Sequence, residues 1–154
     1  MSLPLVLVVT ATLLAVTVAI GLLVRRRDGR RRDVRGDRRD TDAAELAPGG
    51  LGDRATLVQF STELCARCPQ ARRALDGVAA QREGVVRTEV DLTHRADLAS
   101  RHGILSTPTT FLLDPDGTVR SRFHGVPRPA EVLAAIDELT PPPPAPTAKE
   151  RRAA

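Results

Sequence analysis

Apolar residues are distributed along this chain in two distinct ways. From Leu3 to Val24 they form one uncharged block dominated by Leu, Val, Ala and Ile. A block of that length crosses a hydrocarbon core of about 30 Å as a single helix. Thr10, Thr12 and Thr17 fit within it, because a threonine hydroxyl bonds back to a carbonyl one turn earlier. Further along, the pattern breaks into short periods. Ala55 to Phe60 has the length and composition of a buried strand, and Ala71, Ala74, Leu75, Val78 and Ala79 recur at helical spacing within 66–82. Gly84 punctuates, Val85 to Leu92 predicts a second strand, and Ala96 to Arg101 a short helix ended by His102-Gly103. Thr109 to Leu113 predicts a third strand. Asp114-Pro115-Asp116-Gly117 is a turn, and Thr118 to His124 returns as its hairpin partner. Val132, Leu133, Ile136 and Leu139 place a last helix over 129–139. The order β-α-β-α-β-β-α predicts an α/β fold. Its early helices imply parallel crossovers, and its late hairpin adds an antiparallel edge.

Four segments follow: an anchor at 1–24, an Arg-rich flexible linker at 25–52, a globular domain at 53–140 and a proline-rich disordered tail at 141–154. The linker begins Arg25-Arg26-Arg27-Asp28-Gly29-Arg30-Arg31-Arg32-Asp33 and ends near Pro48-Gly49-Gly50. A tether of that length holds a domain some tens of ångströms from a bilayer. The tail, opening Pro141-Pro142-Pro143-Pro144, is stiff and extended by composition. The net charge of +4 comes largely from the arginine cluster. Those arginines abut the apolar block without interleaved aromatics, and only Phe60, Phe111 and Phe123 are aromatic in the chain. This distribution argues against nucleic acid and for lipid phosphates, met by the Arg cluster beside residues 3–24. No Lys or Arg precedes the block, which is long and ends in Arg25-Arg26-Arg27, features of an uncleaved anchor more than of a secretory signal. The positive-inside bias then predicts a single-pass membrane protein, N-terminus outside and domain in the reducing cytoplasm.

The chain has two cysteines, Cys65 and Cys68, directly after the Ala55–Phe60 strand and ahead of the helical period. A strand that delivers two thiols to a helix start favours a thiolate, which points to thiol–disulfide exchange. No cofactor is implied. The histidines His94, His102 and His124 lack a second paired-ligand spacing and are expected as solvated surface residues, so no metal site is expected.

Cys65-Ala66-Arg67-Cys68 after Leu57-Val58-Gln59-Phe60, with Gly103-Ile104-Leu105-Ser106-Thr107-Pro108-Thr109 downstream and Gly125 after the hairpin, resembles the thioredoxin-like family over about 55–139. The resemblance implies a thioredoxin-like domain behind the N-terminal transmembrane helix. It also implies a cis Pro108, with Thr107 and Pro108 receiving a substrate chain as an added strand. Cys65 is expected at the helix start as the nucleophile, with Arg67 favouring its thiolate and Glu63 opposing it. Cys68, shielded one turn further, is expected to resolve the mixed disulfide.

The sequence departs from the family pattern around this pair. Gln59 stands where an aspartate is usual, Arg87 where a lysine is, Leu64 where a tryptophan precedes the first cysteine, and Pro69 where a lysine is common. Glutamine cannot accept a proton, so deprotonation of Cys68 falls to water, to the thiolate itself or to Glu89. Pro69 is expected to perturb the first helical turn. The function expected is a membrane-tethered oxidoreductase acting on protein disulfide or dithiol partners at or near the membrane. The alternatives are an extracytoplasmic thiol oxidoreductase and a non-catalytic binding module.

Overall fold

The computed structural model describes residues 3–27, 31–33 and 43–139. Helix α1, Leu3–Arg27, is followed by strand β1, Arg31–Asp33, and a single turn of helix α2, Ala43–Leu46. Then come β2 (Ala55–Ser61), α3 (Cys68–Ala79), β3 (Val85–Asp91), α4 (Ala96–Arg101), β4 (Thr109–Leu113), β5 (Val119–His124) and α5 (Pro129–Leu139). In α1 the hydroxyls of Thr10, Thr12 and Thr17 each donate to the carbonyl four residues back at 2.8 Å. Its apolar side chains are exposed, and its length and composition suit a membrane span or a signal sequence.

The sheet order is β1-β5-β4-β2-β3. β2 and β3 pair in parallel, as the α3 crossover requires. β4, however, returns antiparallel to β2, so the second crossover is not a parallel one as expected and the sheet is mixed. The reason lies in α4, which has only six residues. It carries the chain from one edge past β2 to its other side, where β4 runs in the reverse sense.

The central strand β2 is buried along its whole length. Its alternation splits the core. Ala55 and Leu57 point to α3 and α5, packing with Leu75, Phe123, Val132 and Ile136. Val58 and Phe60 point to the α4 side, packing with Leu98, Ile104 and Phe111. Apolar side chains on both strand faces are what a sheet covered by helices on two sides demands.

Two stretches of the expected flexible linker take part in this fold. Leu46 of α2 is fully buried in the α4-side core. Gly117, at φ 79° in the β4–β5 turn, lies so close to α2 that a Cβ there would meet that of Ala43 at 2.7 Å. β1 pairs antiparallel with β5, Arg31 opposite Phe123 and Asp33 opposite Ser121. Arg31 also grips α5: its guanidinium donates to both carboxylate oxygens of Glu138 (2.8 and 2.5 Å), and its Nε to Ser121 Oγ (3.1 Å). A charged three-residue edge strand has no apolar alternation, since its stability comes from backbone pairing. Its charges also guard the sheet edge. The segment expected as a disordered tail, 141–154, lies outside the described residues.

His102 corrects another expectation. It is buried, not solvated. Gly103, at φ 61°, turns the end of α4 inward and sets the imidazole 6.2 Å from the Phe60 ring centroid and 6.4 Å from that of Phe111. The Arg122 guanidinium stacks 4.3 Å above Phe111 and donates to the His102 carbonyl at 3.0 Å.

Candidate functional site

The site lies where β2 ends. Beyond Ser61 the chain tightens, the Cys65 N–H donating to the Thr62 carbonyl (3.1 Å) and the Cys68 N–H to the Cys65 carbonyl (3.2 Å). Cys65 and Cys68 are joined as a disulfide, S–S 2.07 Å, with Cα atoms 5.5 Å apart. Cys65 is half-buried and Cys68 buried.

α3 begins at Cys68, two residues later than the spacing predicts, so Cys65 sits in the turn ahead of the helix. Pro69 explains the delay. It occupies the first helical turn, where its missing N–H leaves no bond unmade, whereas a helix starting at Ala66 would need that N–H to reach the Cys65 carbonyl. The proline expected to perturb the helix therefore starts it.

One flank of the disulfide carries the proline loop. The Thr107–Pro108 peptide is cis, as the family resemblance implies. Thr62 Oγ1 and Thr107 Oγ1 lie 3.2 Å apart and share a hydrogen bond across the two loops. The Pro108 carbonyl accepts from Gly125 N–H at 2.8 Å, and Thr109 Oγ1 donates to the Ser106 carbonyl at 2.8 Å. Beside this flank, Leu64 and Leu105 are 97% and 94% exposed. Arg67, expected near the thiolate, is exposed and lines a separate cleft with Gln70, Val126 and Arg128.

The other flank is polar. A cleft of about 400 Å³ is lined by Cys65, Cys68, Pro69, Arg72, Glu89 and Asp91, among others. Gln59 is fully buried under α3. Its Nε2 donates to the Cys68 carbonyl (3.2 Å), while its Oε1 has no hydrogen-bond partner among the described residues. Parallel register sets Gln59 beside Glu89.

Arg72, one turn after Cys68 on α3, donates to Glu89 Oε1 at 2.7 Å. Arg87 pairs with Asp76 of α3 and, at 3.4 Å, with Glu89 Oε2. Burial pushes the Glu89 carboxyl up. Hydrogen bonds from Arg72 and Ser61 and the charges of Arg72 and Arg87 outweigh it, leaving Glu89 below its ordinary value. The Glu89 hydrogen bond chiefly holds Arg72 above its own. Thus Glu89, which lines the cleft together with the buried cysteine, is an ion-paired carboxylate at neutral pH. Asp91 is likewise lowered, by hydrogen bonds from the Thr93 hydroxyl and N–H, and the same hydroxyl accepts from Glu63 N–H at 3.0 Å.

The structure therefore brings Cys65, Cys68, Gln59, Glu89, Thr107 and Pro108 to one end of the sheet. Arg72 was legible in principle, because it stands four residues after Cys68 on one helical face. Leu105 and Thr62 carry no local signal of a role.

The profile of a family described as a thioredoxin-like domain matches residues 47–140. Among solved structures, Chlamydomonas reinhardtii thioredoxin f2 superposes with a TM-score of 0.52 at 23% identity, covering 68% of this chain and 94% of that one. A thioredoxin variant from Halobacterium salinarum gives a TM-score of 0.53 at 18% identity, covering 68% and 88%. Chloroplastic thioredoxin z gives 0.52 at 21%, covering 62% and 84%. At these identities the likeness is one of fold. None of the curated proteins matches the sequence.

Proposed function

Because this chain belongs to the thioredoxin-like domain family, we propose that it is a membrane-anchored thiol–disulfide oxidoreductase whose domain faces the cytoplasm and reduces disulfides of protein partners. The observation that carries the reading is the unequal exposure of a bonded cysteine pair. Cys65 is reachable from solvent while Cys68 is buried against Gln59.

In the reduced protein the Cys65 thiolate attacks one partner sulfur, forming a mixed disulfide and releasing the other partner sulfur as a thiolate. Cys68 then attacks Cys65 Sγ, which expels the second partner sulfur. The Cys68 proton ends on a departing partner thiolate, and the partner has gained two electrons. A cellular dithiol or thiol donor returns two electrons to Cys65–Cys68. Glu89, held as a carboxylate, is a weak proton acceptor in this sequence, and Gln59 accepts none. Release of the partner should therefore be the slow step.

The test is a pair of substitutions. Cys65→Ser should abolish reduction of a protein disulfide such as insulin, with dithiothreitol as donor. Cys68→Ser should accumulate mixed disulfides through Cys65. Full activity in Cys65→Ser would show that the roles are assigned wrongly. Labelling of intact cells with a membrane-impermeant thiol reagent tests the orientation, with protection of Cys65 expected.

A further inference from the structure

The position at which the chain enters the sheet bears on which disulfides the site can reach. α1 ends at Arg27 and β1 begins at Arg31, leaving three residues between them. The four peptide links from Arg27 to Arg31 reach at most about 14 Å. Residues 34–52 therefore add nothing to the leash, because β1 is already fastened to β5 and, through Arg31 and Glu138, to α5.

The direction of β1 matters as much. Arg31, Phe123, Thr110 and Gln59 form one registered row across β1, β5, β4 and β2. From that row β1 runs away from the redox end, since Asp33 lies opposite Ser121 while β5 proceeds to His124 beside Thr109. The chain thus joins the sheet at the end that carries Cys65, Cys68 and Pro108. Three strand spacings, about 14 Å, separate Arg31 from Gln59, and Ser61 lies about 7 Å beyond it along β2. Adding the leash, the end of β2 stays within about 30 Å of the end of α1 in every pose, and far closer with the redox end turned toward the bilayer.

The geometry points to a redox site that works at the membrane–water interface, on disulfides of integral membrane proteins close to the headgroups. Leu64 and Leu105, the exposed apolar rim of that end, meet apolar side chains of such a partner. This inference rests on α1 being retained as an anchor and on the exchange chemistry proposed above. It adds the substrate class.

The test uses the full chain in vesicles of phosphatidylcholine and phosphatidylglycerol. The probes are two transmembrane peptides, one with a disulfide loop directly after its apolar segment and one with the same loop on a long helical spacer. The interfacial loop should be reduced about tenfold or more faster, as expected when a short tether sets the effective concentration. Inserting about twelve Gly and Ser residues after Gly29 should bring the ratio close to one and leave insulin reduction unchanged. Equal rates on the two peptides by the unaltered chain would overturn the inference.

Two controls separate this from failure of its premises. Loss of the protein from vesicles, or a mature mass lacking residues 1–24, removes the anchor. Absence of insulin reduction removes the chemistry. The chain contains no tryptophan, so Leu105→Trp reports its surroundings alone. Quenching by acyl-chain bromolipids would assign the leucine rim to lipid and overturn the protein partner. Its absence, with energy transfer to a headgroup dansyl lipid, supports the assignment.

Discussion

The two flanks of the disulfide differ in what they retain. On the Pro108 side, Thr62 is tied to Thr107 and Gly125 to Pro108, and Leu105 stands exposed in the same loop. On the Gln59 side, an aspartate position holds an amide, and the neighbouring acid, Glu89, is neutralised by Arg72 and Arg87. The first flank carries the geometry on which the proposed hold on a substrate chain rests. The second holds an amide where a buried carboxylate could take the Cys68 proton. The contrast shows that binding geometry and proton chemistry are separable features of one site.

The strongest way to break the contrast is Gln59→Asp. Its carboxyl would replace an amide whose oxygen is buried without a partner among the described residues, so burial should raise its pKa well above the ordinary aspartate range. An acid raised on folding keeps its proton in the native state while the unfolded chain has lost it. Stability should therefore fall as pH rises above about 4, by about 3 kcal/mol near neutrality. Urea melts at pH 5 and pH 8 should show the difference. The same variant should shorten the lifetime of the mixed disulfide, measured by quench and gel. An unchanged lifetime would show that proton acceptance is not what limits release.

Next in size is the bond joining the flanks. Thr62→Val removes a hydroxyl from a pair 3.2 Å apart and should cost about 1 kcal/mol. Insulin reduction should slow chiefly through KM if the Thr107 loop holds the partner.

The smallest effect concerns Glu89. Its carboxyl lies below its ordinary value, 4.5, so its ion pairs stabilise the fold above that pH and the contribution is lost on acidification. Glu89→Gln should lower stability at pH 7 by less than about 1 kcal/mol, because the Arg72 partner is half exposed and screened. It should also flatten the acid side of the stability profile. A steeper acid limb in the variant would contradict the direction assigned to Glu89.

Much of this was legible because it is encoded locally. The bounds of α4, β4 and α5 coincide with the sequence expectation. Each is written in short-range periodicity with turn or helix-stop residues beside it. Cys65, Cys68 and Thr107-Pro108 were legible as a pattern of chemistry at fixed separations. Other features were not. Arg31-Arg32-Asp33 has no apolar alternation, so nothing local distinguishes a charged edge strand from a charged linker. His102 is polar by type, and only Gly103 and the gap between Phe60 and Phe111 bury it. Arg72 found its partner on a strand seventeen residues away.

The chain by itself thus determined where its apolar block lies, which of its apolar-patterned segments become helix or strand, and that two thiols follow a buried strand. Those properties depend on side-chain periodicity and residue type within a few positions. Only the tertiary structure decided the antiparallel return of β4, the pairing of Glu89 with Arg72, and the end of the sheet at which the chain from α1 arrives. These are set by backbone hydrogen bonds and by charges that meet across the fold, and such contacts leave no period in the sequence.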